Sequence, residues 1–225
     1  MNLFAEAGQF LTDPANWTGA TGIPQRMLEH VGYSLLTMVI ALVIAVPLGL
    51  WVGHSGRGGG VVVGLAGALR SLPTLGLLTL FTLLMGLGLM PPILALVLLA
   101  IPPILSGTYS GIAAVSPALV DAARAMGMTE SQTLFRVEVP VALPVILGGI
   151  RNAALQVLAT VTIVAYINLG GLGRYLIDGL AVRDYSRMLA SVVLVAALAL
   201  TADALLALIQ RLVTSPGLRL TGDRP

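Results

Sequence analysis

VGYSLLTMVIALVIAVPLGLWVG, residues 31–53, decides the fold class. The run carries no charge, and as a helix rising 1.5 Å per residue it reaches about 34 Å, enough to cross a hydrocarbon core about 30 Å thick. Tyr33 and Trp51 stand near its two ends, where amphipathic rings favour the membrane interfaces. The rest of the 225-residue chain agrees: hydrophobic residues make up 57%, charged residues only 10%, and mean hydropathy is +0.96. A water-soluble domain carries roughly 25% charged residues. The sequence therefore describes an all-α integral membrane protein whose first partner is the lipid bilayer.

Further spans follow outward from this run. The fifty residues from Ser71 to Val120 hold no formal charge, and the Pro91-Pro92 pair divides them as a turn would. A second span is expected near 62–89, broken around Ser71-Leu72-Pro73, and a third near 93–110, with Pro102 and Pro103 either a tolerated kink or a hinge. Residues 111–140 are the most polar internal stretch. A fourth span is expected after Pro144, to about Leu169, with Arg151 near one end where it can snorkel. A glycine-rich polar loop covers 170–187, and a fifth span covers roughly 188–211. Five spans result, six if residues 60–70 cross by themselves.

This divides the chain into an extracytoplasmic N-terminal tail at 1–28, a transmembrane domain at 29–212 and a cytoplasmic C-terminal tail at 213–225. The tail at 1–28 lacks the pattern of a secretory signal and reads as a short polar segment with an interfacial turn around Phe10 and Trp17. With the 111–140 loop in the cytoplasm, that side collects Arg57, Arg124, Arg136, Arg211, Arg219 and Arg224, against Arg26, Arg174, Arg183 and Arg187 outside, in the sense of the positive-inside rule.

Absences exclude whole classes of chemistry. There is no cysteine, so thiolate, disulfide and iron–sulfur chemistry are excluded, and the only histidines, His30 and His54, lie at opposite ends of one apolar stretch, which argues against a metal site. All twelve basic residues are arginine, so the chain has no P-loop lysine, and Gly56-Arg57-Gly58-Gly59-Gly60 reads as a flexible turn. A net charge of +2 gives no reason to expect nucleic acid. If ATP drives this protein, another subunit binds it.

The polar loop reads Asp121-Ala122-Ala123-Arg124-Ala125-Met126-Gly127, then nine residues, then Val137-Glu138-Val139-Pro140. Ser116-Pro117 suits a helix start, Ala118 to Met126 contains good helix formers, and Gly127 suits the end. The result is a short helix presenting Asp121 and Arg124 on one side. Here the sequence resembles the permease subunits of type I ABC importers, whose cytoplasmic loop follows Glu-Ala-Ala-x3-Gly-x9-Ile-x-Leu-Pro. Every spacing matches, with Asp121, Val137 and Val139 as mild departures. The resemblance covers about residues 31 to 212. It is nearest to permeases of the osmoprotectant type, through Gly107-Thr108-Tyr109-Ser110-Gly111-Ile112, Arg124 to Thr129, Val139 to Ile146, Gly149-Ile150-Arg151 and Gly170-Gly171-Leu172-Gly173. Asn168-Leu169 departs from the small residues usual before that glycine run.

The resemblance implies a bacterial inner-membrane, multi-pass transport subunit for quaternary amines such as glycine betaine, carnitine and choline, and no enzymatic activity in this chain. Asp121, Ala122, Ala123, Arg124, Gly127 and Pro140 would couple it to two ABC ATPase subunits that carry ATP and magnesium. A second permease, copy or paralogue, would complete the pathway, and an extracytoplasmic binding protein would deliver substrate. A quaternary ammonium is held by several aromatic faces; with two Trp, five Tyr and four Phe, mostly at helix ends, this chain offers no tight cage. Tyr33, Thr37, Gln156, Thr160 and Tyr166 are pathway or gate candidates, although polar residues at near-fourfold spacing also serve helix–helix hydrogen bonding. Asp203 is the one acid well inside a span and reads either as an interhelical partner or as a gate residue. Rival readings are a methionine or other amino-acid ABC permease, an ion-gradient-driven secondary transporter, disfavoured by the scarcity of ionisable residues within spans, and a structural membrane subunit.

Overall fold

In a computed structural model the described residues run from 2 to 213, so the expected tail at 213–225 lies, apart from Val213, outside them. The described residues are helical almost throughout. A short helix α1 (Leu3–Thr12) and a 3₁₀ turn (Pro14–Trp17) precede the long α2 (Ile23–Ser55). Then come α3 (Gly59–Arg70), α4 (Thr74–Met85), α5 (Met90–Ala113), α6 (Pro117–Ala125) and a single turn, α7 (Glu130–Thr133). A π segment (Leu134–Glu138) runs straight into α8 (Val139–Thr160), which narrows to a 3₁₀ stretch (Val161–Ile167). The described residues end in α9 (Gly173–Val182) and α10 (Tyr185–Val213). Among the described residues four helices are long and apolar enough to cross a membrane, and α3 with α4, bent at Ser71-Leu72-Pro73 where the sequence places a break, would make a fifth if the pair is one broken span.

Packing groups the chain into two units. The first takes the chain up to Ile40, Leu72–Ala100 and Ala154–Asp203. Its core joins Ile23, Leu172, Tyr175 and Leu194, with Phe10 and Leu11 of α1 packed against them. The ring of Phe10 meets that of Tyr175 edge-on at 5.4 Å, and the Tyr175 hydroxyl donates to the Thr21 carbonyl at 2.6 Å. The N-terminal segment is thus a docked helix, more ordered than the tail its polar composition suggests.

The second unit takes Ala41–Ser71, Ile101–Ala153 and the chain from Ala204. Ile112, Val115, Ala142 and Ile146 form its core, bordered by Leu50, Val120 and Leu134. Helices α5 and α8 touch backbone to backbone here: a Cβ on Gly107 would stand 2.8 Å from the Gly149 Cα, and one on Gly149 would stand 2.7 Å from the Pro103 carbonyl oxygen. Small residues at such a crossing maximise close packing where lipid offers no hydrophobic drive.

Two span boundaries differ from the sequence expectation, and the loop expected at 170–187 is largely the helix α9, with α10 already under way at Tyr185. Pro91 and Pro92 lie in the first turn of α5, where a missing N–H breaks no helical bond, so the turn falls instead at Gly86–Leu89. Pro144 lies inside α8, whose helix begins before it, so the fourth span starts earlier than Pro144 implies. The wide π turn at Leu134–Glu138 precedes Pro140, whose ring would otherwise press on the Arg136 carbonyl, and so lets the helix run on.

Candidate functional site

The loop that carries the sequence signal is itself mostly helix. Pro117 opens α6, and Ser116 holds the preceding position without a side-chain bond to the helix. At the other end Gly127 adopts φ +82°, donates to the Arg124 carbonyl at 2.9 Å, and lets Met128 donate to the Ala123 carbonyl at 3.2 Å. These two bonds make a Schellman close, which requires a left-handed residue where glycine is unstrained. Thr129 then caps α7: its hydroxyl accepts the Gln132 N–H at 3.3 Å while the Gln132 side chain accepts the Thr129 N–H at 2.9 Å.

A chain of charges ties this loop together. Arg124 donates through Nε and Nη2 to both carboxylate oxygens of Glu130, at 3.0 and 2.9 Å, and lies 3.9 Å from Asp121. The Glu130 carboxylate beside it raises the Arg124 guanidinium above its ordinary range. Glu130 also lies 3.2 Å from Nε2 of His54, at the end of α2, and the other ring nitrogen of His54 lies 2.6 Å from the buried carboxylate of Glu138. The arrangement links α6, α7, α2 and the π segment. Asp121, Ala122 and Arg124 are exposed, Ala123 alone of α6 is buried, and Pro140 is exposed on α8. Leu119 on the same short helix and Met126 just past its end stay open.

The expected pathway residues all belong to the first unit. Tyr33 and Gln156 are half-buried, Tyr166 is 61% exposed, and Asp203 is half-buried with an interaction partner. Thr37 is fully enclosed, and its hydroxyl has no hydrogen-bond partner. The Thr160 hydroxyl donates to the Gln156 carbonyl at 2.7 Å, so it serves its own helix. Asn168 ends the 3₁₀ stretch at φ +66° and takes Arg174 Nη1 at 2.9 Å. Asparagine tolerates the left-handed conformation better than most side chains, which accounts for its place before the glycine run.

Sequence reasoning missed His30, Glu29, His54 and Glu138 as structural partners. Their contacts span up to 142 positions, and the only local sign was a pair of histidines and an acid at the ends of apolar helices. No group of His, Cys, Asp or Glu able to hold a metal occurs among the described residues.

Comparison with known proteins places this arrangement. Residues 45–215 match the family described as binding-protein-dependent transport system inner membrane component. The chain is 36% identical to a glycine betaine/carnitine/choline transport system permease protein of Bacillus subtilis, over 85% of this chain and 88% of that one. It is 34% identical to a choline transport system permease protein of the same organism (86% and 89% covered), and 34% identical to an osmoprotectant import permease protein of Salmonella typhimurium (85% and 91%). Among solved structures, an inward-facing MetNI methionine ABC transporter aligns with TM-score 0.75 at 22% identity, covering 91% of this chain and all of that one. An amino acid ABC transporter solved with histidines aligns with TM-score 0.68 at 22% identity, covering 84% and 92%. At that identity the two structures speak for the fold.

Proposed function

Because the chain belongs to the family of binding-protein-dependent transport system inner membrane components, we propose that it forms the membrane pathway of an ABC importer for osmoprotectant quaternary amines. The observation that carries the substrate class is identity of 34–36% to permeases named for glycine betaine, carnitine and choline, over 85% or more of this chain. The methionine reading draws on fold likeness alone.

In this reading α6 is the coupling helix. Its open face, with Asp121, Arg124 and Met126, enters a groove on an ABC ATPase, and the His54–Glu130–Glu138 contacts carry its displacement to α2 and α8. ATP and magnesium sit on the two ATPase subunits, so this chain does no covalent chemistry. A second permease, a copy or a paralogue, completes the passage, and an extracytoplasmic binding protein supplies affinity that the few aromatic residues here do not. Closure of the ATPase pair biases a two-state pathway between outward and inward openings. The N-terminal helix and α9 lie outside, and α6 lies in the cytoplasm.

The test is uptake of isotope-labelled glycine betaine, choline and carnitine by cells under high osmolarity, with and without this chain. Loss of uptake on deletion, restored by the wild-type chain, supports the substrate class. Uptake of all three that is indifferent to the chain, with methionine uptake dependent on it, would overturn it.

A further inference from the structure

Two neighbouring residues near the start of α2 grip the chain on either side of the 3₁₀ stretch Val161–Ile167. His30 is fully enclosed, and its Nε2 lies 2.9 Å from the Leu158 carbonyl, before the helix narrows. A carbonyl oxygen only accepts, so the ring nitrogen facing it carries the proton and donates. Glu29 accepts the Gly171 N–H at 2.7 Å, beyond the end of the stretch, and Arg26 braces the same carboxylate oxygen at 2.9 Å. The segment from Leu158 to Gly171 is therefore pinned at both ends by one turn of one helix.

The fit around these pins is close. A Cβ on Gly170 would fall on the Glu29 carboxylate, and one on Gly173 would fall on the Thr162 carbonyl. Gly171 stands at φ +88°, and a Cβ there would lie 3.5 Å from Nδ1 of His30. The glycine run is a fitted seat for the returning chain. At the α-to-3₁₀ junction the regular i→i+4 ladder is interrupted, and three carbonyls there take side-chain donors: Gln156 from Thr160, Leu158 from His30 and Ala159 from Thr162. Of these only the His30 donor comes from outside the segment, so it ties the narrowed shape to another helix. That shape presents Tyr166, exposed, on its outer side.

We propose that Glu29 and His30 are positioning residues for transport, holding Val161–Ile167 as a rigid gate segment that carries Tyr166. This rests on the transport reading above. Without the pins the segment loses its fixed shape, the pathway no longer closes in step with the ATPase, and ATP is hydrolysed with less uptake.

The test uses the whole importer in proteoliposomes, this chain with its ATPase and binding protein, and labelled glycine betaine. His30→Leu removes the donor at similar volume and should lower uptake per ATP hydrolysed about fivefold or more, the scale of a buried interhelical hydrogen bond. His30→Gln, whose amide reaches as far as Nε2–H, should recover to within about twofold. In a Tyr166→Cys background, a membrane-impermeant maleimide should label position 166 faster with His30→Leu than with His30 present. Should His30→Leu fail to reach the membrane, Glu29→Ala removes the Gly171 pin and should raise labelling in the same way. A wild-type uptake-to-ATP ratio with unchanged labelling in these variants overturns the proposal, as does an equal fall of the Leu and Gln variants in step with protein content. Absence of glycine betaine uptake by the wild-type importer would instead sink the substrate assignment, while the labelling comparison still decides the clamp.

Discussion

Nδ1 of His54 stands 2.6 Å from the carboxylate of Glu138, and Nε2 of the same ring stands 3.2 Å from Glu130. A neutral imidazole has one N–H to give, whereas the imidazolium has two and satisfies both acids. Glu138 is only 5% exposed, so it has little water to turn to if the ring is removed, whereas Glu130 lies open to solvent.

Removing the ring should therefore hurt more than removing the charge it meets. His54→Ala leaves a buried carboxylate unpaired, whereas Glu138→Gln leaves a neutral amide beside the ring. Thermal unfolding of the purified chain should show the His54→Ala defect partly relieved by adding Glu138→Gln, with a coupling of about 1–2 kcal/mol. Strict additivity of the two would mean that the contact carries no energy. The caps of α6 and α7 do not use His54, so the loop itself should stay helical by hydrogen exchange.

Gly127 offers a test that separates backbone from bulk. A Cβ there meets nothing within 4 Å, so within this chain a side chain has room and the obstacle is φ +82°. A non-glycine residue in that region costs roughly 1–2 kcal/mol, least for Asn. Gly127→Val should insert and fold yet hydrolyse ATP with little uptake, and Gly127→Asn should retain more coupling if the Schellman close is what matters. Equal loss in both would place the requirement in the space a docked ATPase needs. Wild-type uptake in both would remove α6 from the coupling role.

The spans and the short helix α6 were legible because each is local. Hydropathy over some twenty residues identifies a membrane helix regardless of its neighbours, and the Asp121-to-Pro140 spacing lies within one loop. Prolines misled at two places: Pro91-Pro92 lie in the first turn of α5, where no helical N–H is needed, and α8 runs on through Pro144 without the one bond its N–H would have made. The N-terminal helix was missed because what holds it, Phe10 against Tyr175, joins residues far apart in sequence. The same is true of His30 on Leu158 and His54 on Glu138: a side chain's long-range partner leaves no period to read.

Asp184 should set a pH threshold at the start of α10. Its carboxylate accepts the Arg187 N–H at 3.0 Å and the Ser186 hydroxyl at 2.6 Å, the bonding of an N-cap. Those bonds, the Ser186 hydroxyl foremost, hold its carboxyl below the usual range. A carboxyl depressed on folding adds stability at pH values above its unfolded pKa and loses it as pH falls through the folded one. Protection of the amides over Tyr185–Met188, measured against their intrinsic exchange at each pH, should thus fall in acid in the wild type, while Asp184→Asn keeps the cap and flattens the pH response. Asp184→Ala should loosen the first turn at all pH by about 1 kcal/mol. A pH response preserved in the Asn variant would assign it to another group.

Thiol access should sort the pathway candidates by which surface they line. Thr37 is fully enclosed by its own chain, whereas Gln156 is half-buried and Tyr166 lies mostly open. With no native cysteine, single substitutions give an unambiguous signal. Cysteine at 156 should react with a water-soluble maleimide during ATP turnover, and excess glycine betaine with its binding protein should slow that reaction. Cysteine at 37 should stay protected throughout, because its hydroxyl counterpart sits in packed protein. Labelling at 37 with protection at 156 in every state would move the passage to the other side of α2 and return the polar face of α8 to helix–helix bonding.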